Sequence, residues 1–210
     1  MNKQDTNQSQ MLIWAREIFT LSQSGLTYSK NEFDLNRYRR LQEIAAEMIA
    51  SQSDLTKDTV LESFSMQSGY ITPKVDVRGA VVRDGKILLV HERIDDRWSM
   101  PGGWADLGDM PSEMVAREVR EESGFDVRAE KLIAVYDANR IQPMEFYHAY
   151  KLIFLCNITG GEARNSIETS GVDFFAPDKL PPLSKFRTNE SMIAEVFAHV
   201  ADHNRPAYFE

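Results

Sequence analysis

The sequence predicts an α/β fold: a mixed sheet with helices on both sides, preceded by a small α-helical N-terminal domain. Three observations carry this. Up to about residue 64, apolar side chains recur at three- and four-residue spacing with no strand alternation. Across 65–74, a stretch with Ser, Gly69 and Pro73, the period changes, and two β-rich runs follow on either side of Asp84 and Gly85, a strong hairpin signal. Beyond them come a helical segment, further strand-like runs and a closing amphipathic helix, an order that fits a sheet covered on two faces.

Taken in order, residues 1–8 are polar and expected to fray. The pattern predicts a helix over 9–23, where Leu12, Ala15, Ile18 and Phe19 form a stripe that Trp14 and Leu21 widen and Gly25 ends. A second helix is predicted over 34–51, with Leu35, Tyr38, Leu41, Ala45, Met48 and Ile49 on its apolar face, and a third over about 56–64. Arg37, Arg39 and Arg40 make a local basic run, a solvated face or an edge of a substrate or RNA surface. The strands predicted next are 75–83 and 86–92, then 127–138, 146–158 and a short one within 168–177. Residues 189–202 close the chain as a helix with Ile193, Val196, Phe197 and Val200 inward.

The stretch 103–125 carries the chemistry. Pro111 suits a first helical turn, Asp109 can cap just before it, and Gly124 is a plausible stop. Glu118, Glu121 and Glu122 share one sector of that helix, while Val115, Ala116 and Val119 fill the neighbouring one. Three carboxylates on one sector repel each other, a cost that a purely structural helix avoids. Arg117, four residues before Glu121, could hold that carboxylate. A solvated acidic face would explain the cluster alone. The preceding Pro101-Gly102-Gly103 turn, where backbone can approach a ligand, favours an oxygen-rich site for Mg²⁺ or Mn²⁺.

These 23 residues resemble the Nudix box, G-x5-E-x7-R-E-U-x-E-E-x-G-U with U a bulky apolar residue. Gly103, Arg117, Glu118, Val119, Glu121, Glu122, Gly124 and Phe125 fall in register; Asp109 stands where the pattern has Glu. The resemblance implies a Nudix hydrolase, which cleaves a nucleoside diphosphate linked to a group X, and an α/β/α sandwich. The N-terminal segment, with its Trp14-Ala15-Arg16 start, a turn at 24–28 and Arg37-Tyr38-Arg39-Arg40-Leu41, is similar to the helical domain of Nudix hydrolases described as CDP-choline or ADP-ribose pyrophosphatases. The domains are accordingly expected at 1–68 and 69–210. The resemblance also implies a homodimer, Mg²⁺ as cofactor with Mn²⁺ able to substitute, and Glu118, Glu121, Glu122 and the Gly102 carbonyl as metal ligands. Arg117 joins the box carboxylates in the catalytic set. Glu168 lies where many relatives place a catalytic Glu, and the water's proton goes either to it or to a box Glu.

Substrate contacts are less legible. Arg78, Arg93, Trp98, Asp137 and Arg140 are the candidate substrate-binding side chains, Asn139 shares the polar loop of the last two, and Tyr70, Trp104, Tyr136 and Tyr147 are further aromatics that could stack on a base. Three functions stay open: a pyrophosphatase for CDP-choline-like or ADP-ribose-like conjugates, a nucleoside triphosphate or RNA 5′-end hydrolase, and a non-catalytic nucleotide sensor.

Composition narrows the setting. The chain of 210 residues has 42% hydrophobic and 27% charged residues, ordinary for a soluble globular protein. Its net charge of −8 argues against a duplex-DNA binder, which needs a basic footprint. The single Cys156 cannot form an internal disulfide and reads as a buried strand residue, which fits a reducing cytoplasm. No apolar run approaches a membrane span, and the N-terminus lacks a signal-peptide core.

Overall fold

The structure, a computed structural model, describes residues 10–67, 69–141 and 148–209. The expected frayed start, Ser68, Tyr147 and the first residues of the 146–158 strand lie outside the described residues. Two compact units result, one of residues before Lys74 with His148, the other of residues from Lys74 onward.

The first unit is helical: α1 (Gln10–Tyr28), α2 (Glu32–Ala50) and α3 (Lys57–Ser65). Asn31 caps α2 by accepting the Phe33 N–H, so α2 starts earlier than its apolar stripe implies, and Thr56 caps α3 through the Thr59 N–H. Ala15, Phe19, Ala45, Ile49, Val60 and Phe64 form its core, with the Phe19 and Phe64 rings stacked at 3.6 Å. Gly25 does not end α1, and 24–28 is helix rather than turn. A Cβ on Gly25 would stand 2.4 Å from the Tyr38 ring, so this glycine lets α1 and α2 approach. Trp14 and Leu21 do not widen the inward stripe either. Trp14, Leu21 and Tyr28 are 53%, 62% and 69% exposed, and their seven-residue spacing places them on one apolar seam along α1.

The second unit contains β1 (Lys74–Arg83), β2 (Lys86–Glu92), β3 (Arg97–Ser99), α4 (Pro111–Ser123), β4 (Phe125–Asp137), α5 (Ala138–Ile141), β5 (Ala149–Gly161), β6 (Thr169–Phe175), α6 (Glu190–Ala201) and β7 (Tyr208–Phe209). Asp84 and Gly85 join β1 to β2 with both φ positive, 52° and 70°, as a two-residue hairpin turn of the primed type requires. β1 pairs parallel with β5, β5 antiparallel with β4, and β4 parallel with β7, so the sheet is mixed. β6 runs along one side of β2; on the other, β1 and then β3 pair with it.

Alternation along the strands builds two cores. Val77, Val81 and Leu88 pack with Met114, Val115 and Val119 of α4. Ala80, Ile87 and Ile153 pack with Met192, Ile193 and Val196 of α6. The result is a sheet between helices, the sandwich expected. Cys156 is buried in the first core, and burial pushes its thiol up to about 12. Val200 is 44% exposed rather than inward; the fully buried residue on that turn is His199. The short elements β3, α5 and β7 have too few residues for a legible period.

Candidate active site

The site begins where the sheet splits. β1 and β2 pair only at Val82 with Ile87 and Arg83 with Lys86. Over the rest of β1, residues 101–105 take the edge: the Val77 N–H donates to the Gly103 carbonyl (2.9 Å), Gly79 N–H to Pro101 (2.8 Å) and Ala105 N–H to Val75 (2.8 Å). Gly102 has φ of +146°, and a Cβ there would lie 2.0 Å from the Val77 carbonyl oxygen, so no other residue fits. This placement points the Gly102 N–H at the Glu122 carboxyl, 2.9 Å away on α4.

A cleft of about 300 Å³ opens beside this contact, and Glu118, Glu122, Glu168 and Glu92 face it together with Arg78, Arg187, Trp104 and Phe186. Burial, reinforced by Glu92 and Glu118, pushes the Glu122 carboxyl up to about 8, against the pull of Arg78 and the Gly102 N–H. Glu118 is also raised, by burial and then by Glu121, with Arg117 and Arg78 opposing. Glu92 is buried, accepts the Ser99 hydroxyl at 2.6 Å and has Arg187 at 3.5 Å. Arg78 is fixed from both ends, donating to Asp76 (2.9 and 3.3 Å) and to the Met100 carbonyl (3.2 Å).

The sequence candidates divide on this geometry. Glu118, Glu122, Glu168, Gly102 and Arg78 share the cleft lining with Trp104. Glu121 is exposed and lines a different hollow with Arg117 and Arg120. Arg117 does not hold Glu121 by a hydrogen bond. It makes a two-pronged bond to Asp109 (3.1 and 2.8 Å) and stands 3.6 Å from Glu118. The N-cap reading of Asp109 is therefore overturned: Met110 is the cap residue, without a side-chain cap, because the Asp109 carboxylate is turned to the guanidinium. The pair holds Asp109 below the usual carboxylate range and raises Arg117.

The other substrate candidates lie outside the cleft lining. Trp98 packs on Phe175 (4.7 Å between ring centroids) and His91 (5.0 Å), because β3 brings it against the sheet. Asp137 ends β4 and stands 3.7 Å from Arg140 on α5, a short helix rather than the expected polar loop. Arg93 is exposed, and its N–H bonds the Glu168 carbonyl at 2.9 Å. Tyr136 is in the core, Asn139 is buried, and Tyr70 belongs to the helical unit.

Asp76, Lys151, Glu92 and Arg187 escaped the reading of the sequence. Asp76 and Arg78 alternate with Val75 and Val77, a signal that both polar side chains share one face of β1. Lys151, the register partner of Asp76 on β5, forms a buried ion pair with it, and only the pairing of the strands reveals this.

Among the described residues, no three His, Cys, Asp or Glu side chains stand ready to hold an ion as placed. The donor set nevertheless suits a divalent cation. Burial raises both the Glu118 and the Glu122 carboxyls, Glu122 to about 8, so a positive ion beside them would be welcome, and carboxylate oxygens are what a hard cation prefers.

Asp109→Ala is expected to release Arg117 beside Glu118, lowering kcat/KM several-fold while the melting temperature moves little; Asp109→Glu, which keeps the charge, should retain most activity. Steady-state kinetics and thermal melts on both variants check this. A large thermal loss with unchanged kinetics would return Asp109 to a capping role.

The NUDIX domain profile matches residues 73–196, and the profile described as the UDP-X-like, N-terminal oligomerisation domain matches 9–64. YjhB of Bacillus subtilis, provisionally named an ADP-ribose pyrophosphatase, is 38% identical over 204 residues, covering 97% of this chain and 98% of its own. A crystal structure of a UDP-X diphosphatase is 34% identical with a TM-score of 0.62, covering 95% of this chain and 98% of that one. An ADP-ribose pyrophosphatase from Streptococcus suis is 35% identical with a TM-score of 0.62, covering 66% of this chain and 100% of that one. With its box in register and a domain profile spanning more than half its length, this chain belongs to the Nudix hydrolase family.

Proposed function

We propose that this Nudix pyrophosphatase hydrolyses the diphosphate bridge of a nucleoside diphosphate linked to X, such as ADP-ribose or CDP-choline, giving a nucleoside monophosphate and X-phosphate. The observation that carries the reading is Glu122, buried and proton-loaded against the Gly102 N–H, with Glu118 and Glu168 on the same cleft. The names of the relatives support it. Nudix hydrolases generally use divalent metal ions; we assign Mg²⁺ here, replaceable by Mn²⁺, to Glu118, Glu121, Glu122 and the Gly102 carbonyl. The ion would supply the positive charge that a diphosphate needs before a nucleophile can approach it.

The chain's own groups do the rest. Arg78, fixed by Asp76, keeps positive charge beneath Glu122 in every protonation state. Glu168 or Glu118 accepts the proton of the attacking water, and the pH profiles of their Gln variants separate the two. Trp104 and Phe186 offer apolar walls for the parts of the substrate outside the diphosphate. A screen of nucleotide conjugates and triphosphates with Mg²⁺ or Mn²⁺, with products identified by mass, tests the reading. Preferred cleavage of triphosphates, or no cleavage of any conjugate, would overturn it.

The raised Glu122 carboxyl has a consequence for stability. Its folded-state value of about 8 exceeds the ordinary carboxylate value, so between the two the folded state holds a proton that the unfolded state has lost. Metal-free protein is therefore expected to lose stability as pH rises from about 5 to about 8. Mg²⁺ should flatten the decline by replacing that proton, and so should Glu122→Gln. Thermal melts across this range check the sign; stability rising with pH, and insensitive to Glu122→Gln, would contradict it.

We also assign a homodimer built through the N-terminal unit, and a reducing cytoplasm as its setting. The seam of Trp14, Leu21 and Tyr28 gives the dimer a contact surface, since exposed apolar seams of this spacing mark helix pairing. No helix among the described residues is long and apolar enough to cross a membrane. Leu21→Glu is expected to shift the protein from dimer to monomer, because it puts a charge in the middle of the seam. Light scattering coupled to size exclusion reads this, and a variant that stays dimeric moves the interface elsewhere.

A further inference from the structure

A second hollow, of about 380 Å³, adjoins the acidic cleft, and the two share Phe186 as a common wall. Its frame is fixed by the backbone. The Trp98 N–H donates to the Pro182 carbonyl (3.0 Å) and the Ser184 N–H to the Trp98 carbonyl (2.8 Å), so β3 and the 182–184 segment are tied together. Its charge is opposite to that of the cleft. Arg97 and Lys185 line it, and Asp95, the one acid among its lining residues, already accepts the Ser184 hydroxyl (2.6 Å) and is paired with Arg187 (3.1 Å). Arg187 also reaches Glu92 at 3.5 Å, so one guanidinium stands between the two compartments. Lys185 has only Glu190, 3.7 Å away on an exposed side, and the Arg97 side chain has no hydrogen-bond or ion-pair partner among the described residues. In a chain of net charge −8, a hollow beside an acidic cleft that holds the unpaired Arg97 and the loosely paired Lys185 calls for an anion from outside.

We propose that this hollow is the subsite for the X end of the substrate, and that it takes a sugar whose far end carries a carboxylate. The inference rests on the function proposed above, because the diphosphate must lie in the acidic cleft for X to pass Phe186. The sugar ring lies along that side chain, and the Arg97 fork receives the carboxylate, a planar partner that it matches with two parallel N–H donors. Lys185 adds a second positive charge. The geometry thereby separates recognition from cleavage: acids and cation on one side of Phe186, a basic receptor on the other.

The test is a matched pair of conjugates, UDP-glucose with a neutral X and UDP-glucuronate with a carboxylate. Binding is measured by calorimetry in Ca²⁺ to slow turnover, and kcat/KM in Mg²⁺. The wild type is expected to favour the uronate roughly fivefold in Kd, the worth of two partly exposed ion pairs, and the preference should fade with added salt. In the Arg97→Ala/Lys185→Ala double variant the ratio should collapse toward one. Equal Kd values in the wild type, a variant that weakens both conjugates alike, or no binding of either would overturn the proposal. Binding with the expected ratio but no cleavage of either conjugate would leave the subsite standing and sink the hydrolase reading. Cleavage of both with equal constants would do the reverse.

Discussion

Glu122→Gln is expected to reduce turnover on the order of a thousandfold or more while leaving the fold intact. The substitution preserves the shape of the side chain and an oxygen that can accept the Gly102 N–H, so the contact at 2.9 Å survives. What it removes is the charge that a divalent cation would collect. A loss of several kcal/mol of transition-state stabilisation corresponds to this rate, at about 1.4 kcal/mol per tenfold. Stability should move the other way. Ionised Glu122 is disfavoured where it is buried, so above about pH 8 the metal-free Gln variant should melt higher than the wild type. Glu121→Gln is a useful comparison: exposed and outside the cleft lining, Glu121 should lose less on neutralisation than Glu122. Rates at saturating Mg²⁺ and melts with and without metal give both readouts. Near-wild-type turnover in Glu122→Gln would remove the cation from this carboxylate.

The contrast between Glu122 and Asp109 shows which parts of the site a sequence exposes. The helix carrying Glu118 to Glu122 is bounded by local signals, Pro111 at its start and Gly124, with φ of 81°, at its end, and both were legible because they act within one turn. The hairpin at Asp84 and Gly85 is equally local. Asp109 was misread because two local roles compete for one carboxylate, and the winner is an arginine eight residues on that only the bend of the chain brings near. Gly25 failed in the same way: a glycine signals both a helix stop and a close approach, and Tyr38 decides which. Trp14 and Leu21 look like core on one helix considered alone, but the partners that bury Ala15 and Phe19 cover only one side of α1. What lies furthest from sequence is the charge pairing under the cleft. Asp76 and Lys151 are 75 residues apart, and their meeting depends on the parallel register of β1 with β5.

That pairing carries the largest expected effect on stability. Asp76, Arg78 and Lys151 are all buried, and among the described residues Asp76 is the one anion in an ion pair with both cations: Arg78 donates to it at 2.9 Å, and Lys151 pairs with its other oxygen. Burial alone would raise the Asp76 carboxyl, but Arg78 and Lys151 together hold it below the usual carboxylate range, so it is ionised at neutral pH. Asp76→Ala leaves the buried Arg78 without its paired anion and pushes Lys151, already lowered to about 8 by burial and by Arg78, further toward its neutral form. Breaking a buried pair from one side costs about 3–5 kcal/mol, a large share of the ~5–15 kcal/mol that holds a typical domain together. The melting temperature should fall by about 10 °C. Lys151→Met should cost less, because Asp76 keeps its bond to Arg78. Replacing all three charges with apolar residues of similar size should restore much of the stability, since no unpaired ion then remains. It should not restore turnover, because Arg78 is the positive charge that offsets the ionisation cost of Glu122 within the cleft. Urea midpoints and kcat for the single and triple variants separate the two roles. If Asp76→Ala melted within a degree or two of the wild type, the three charges would not form a mutually dependent set. If the triple variant kept its kcat, Arg78 would serve the fold and not the cleft.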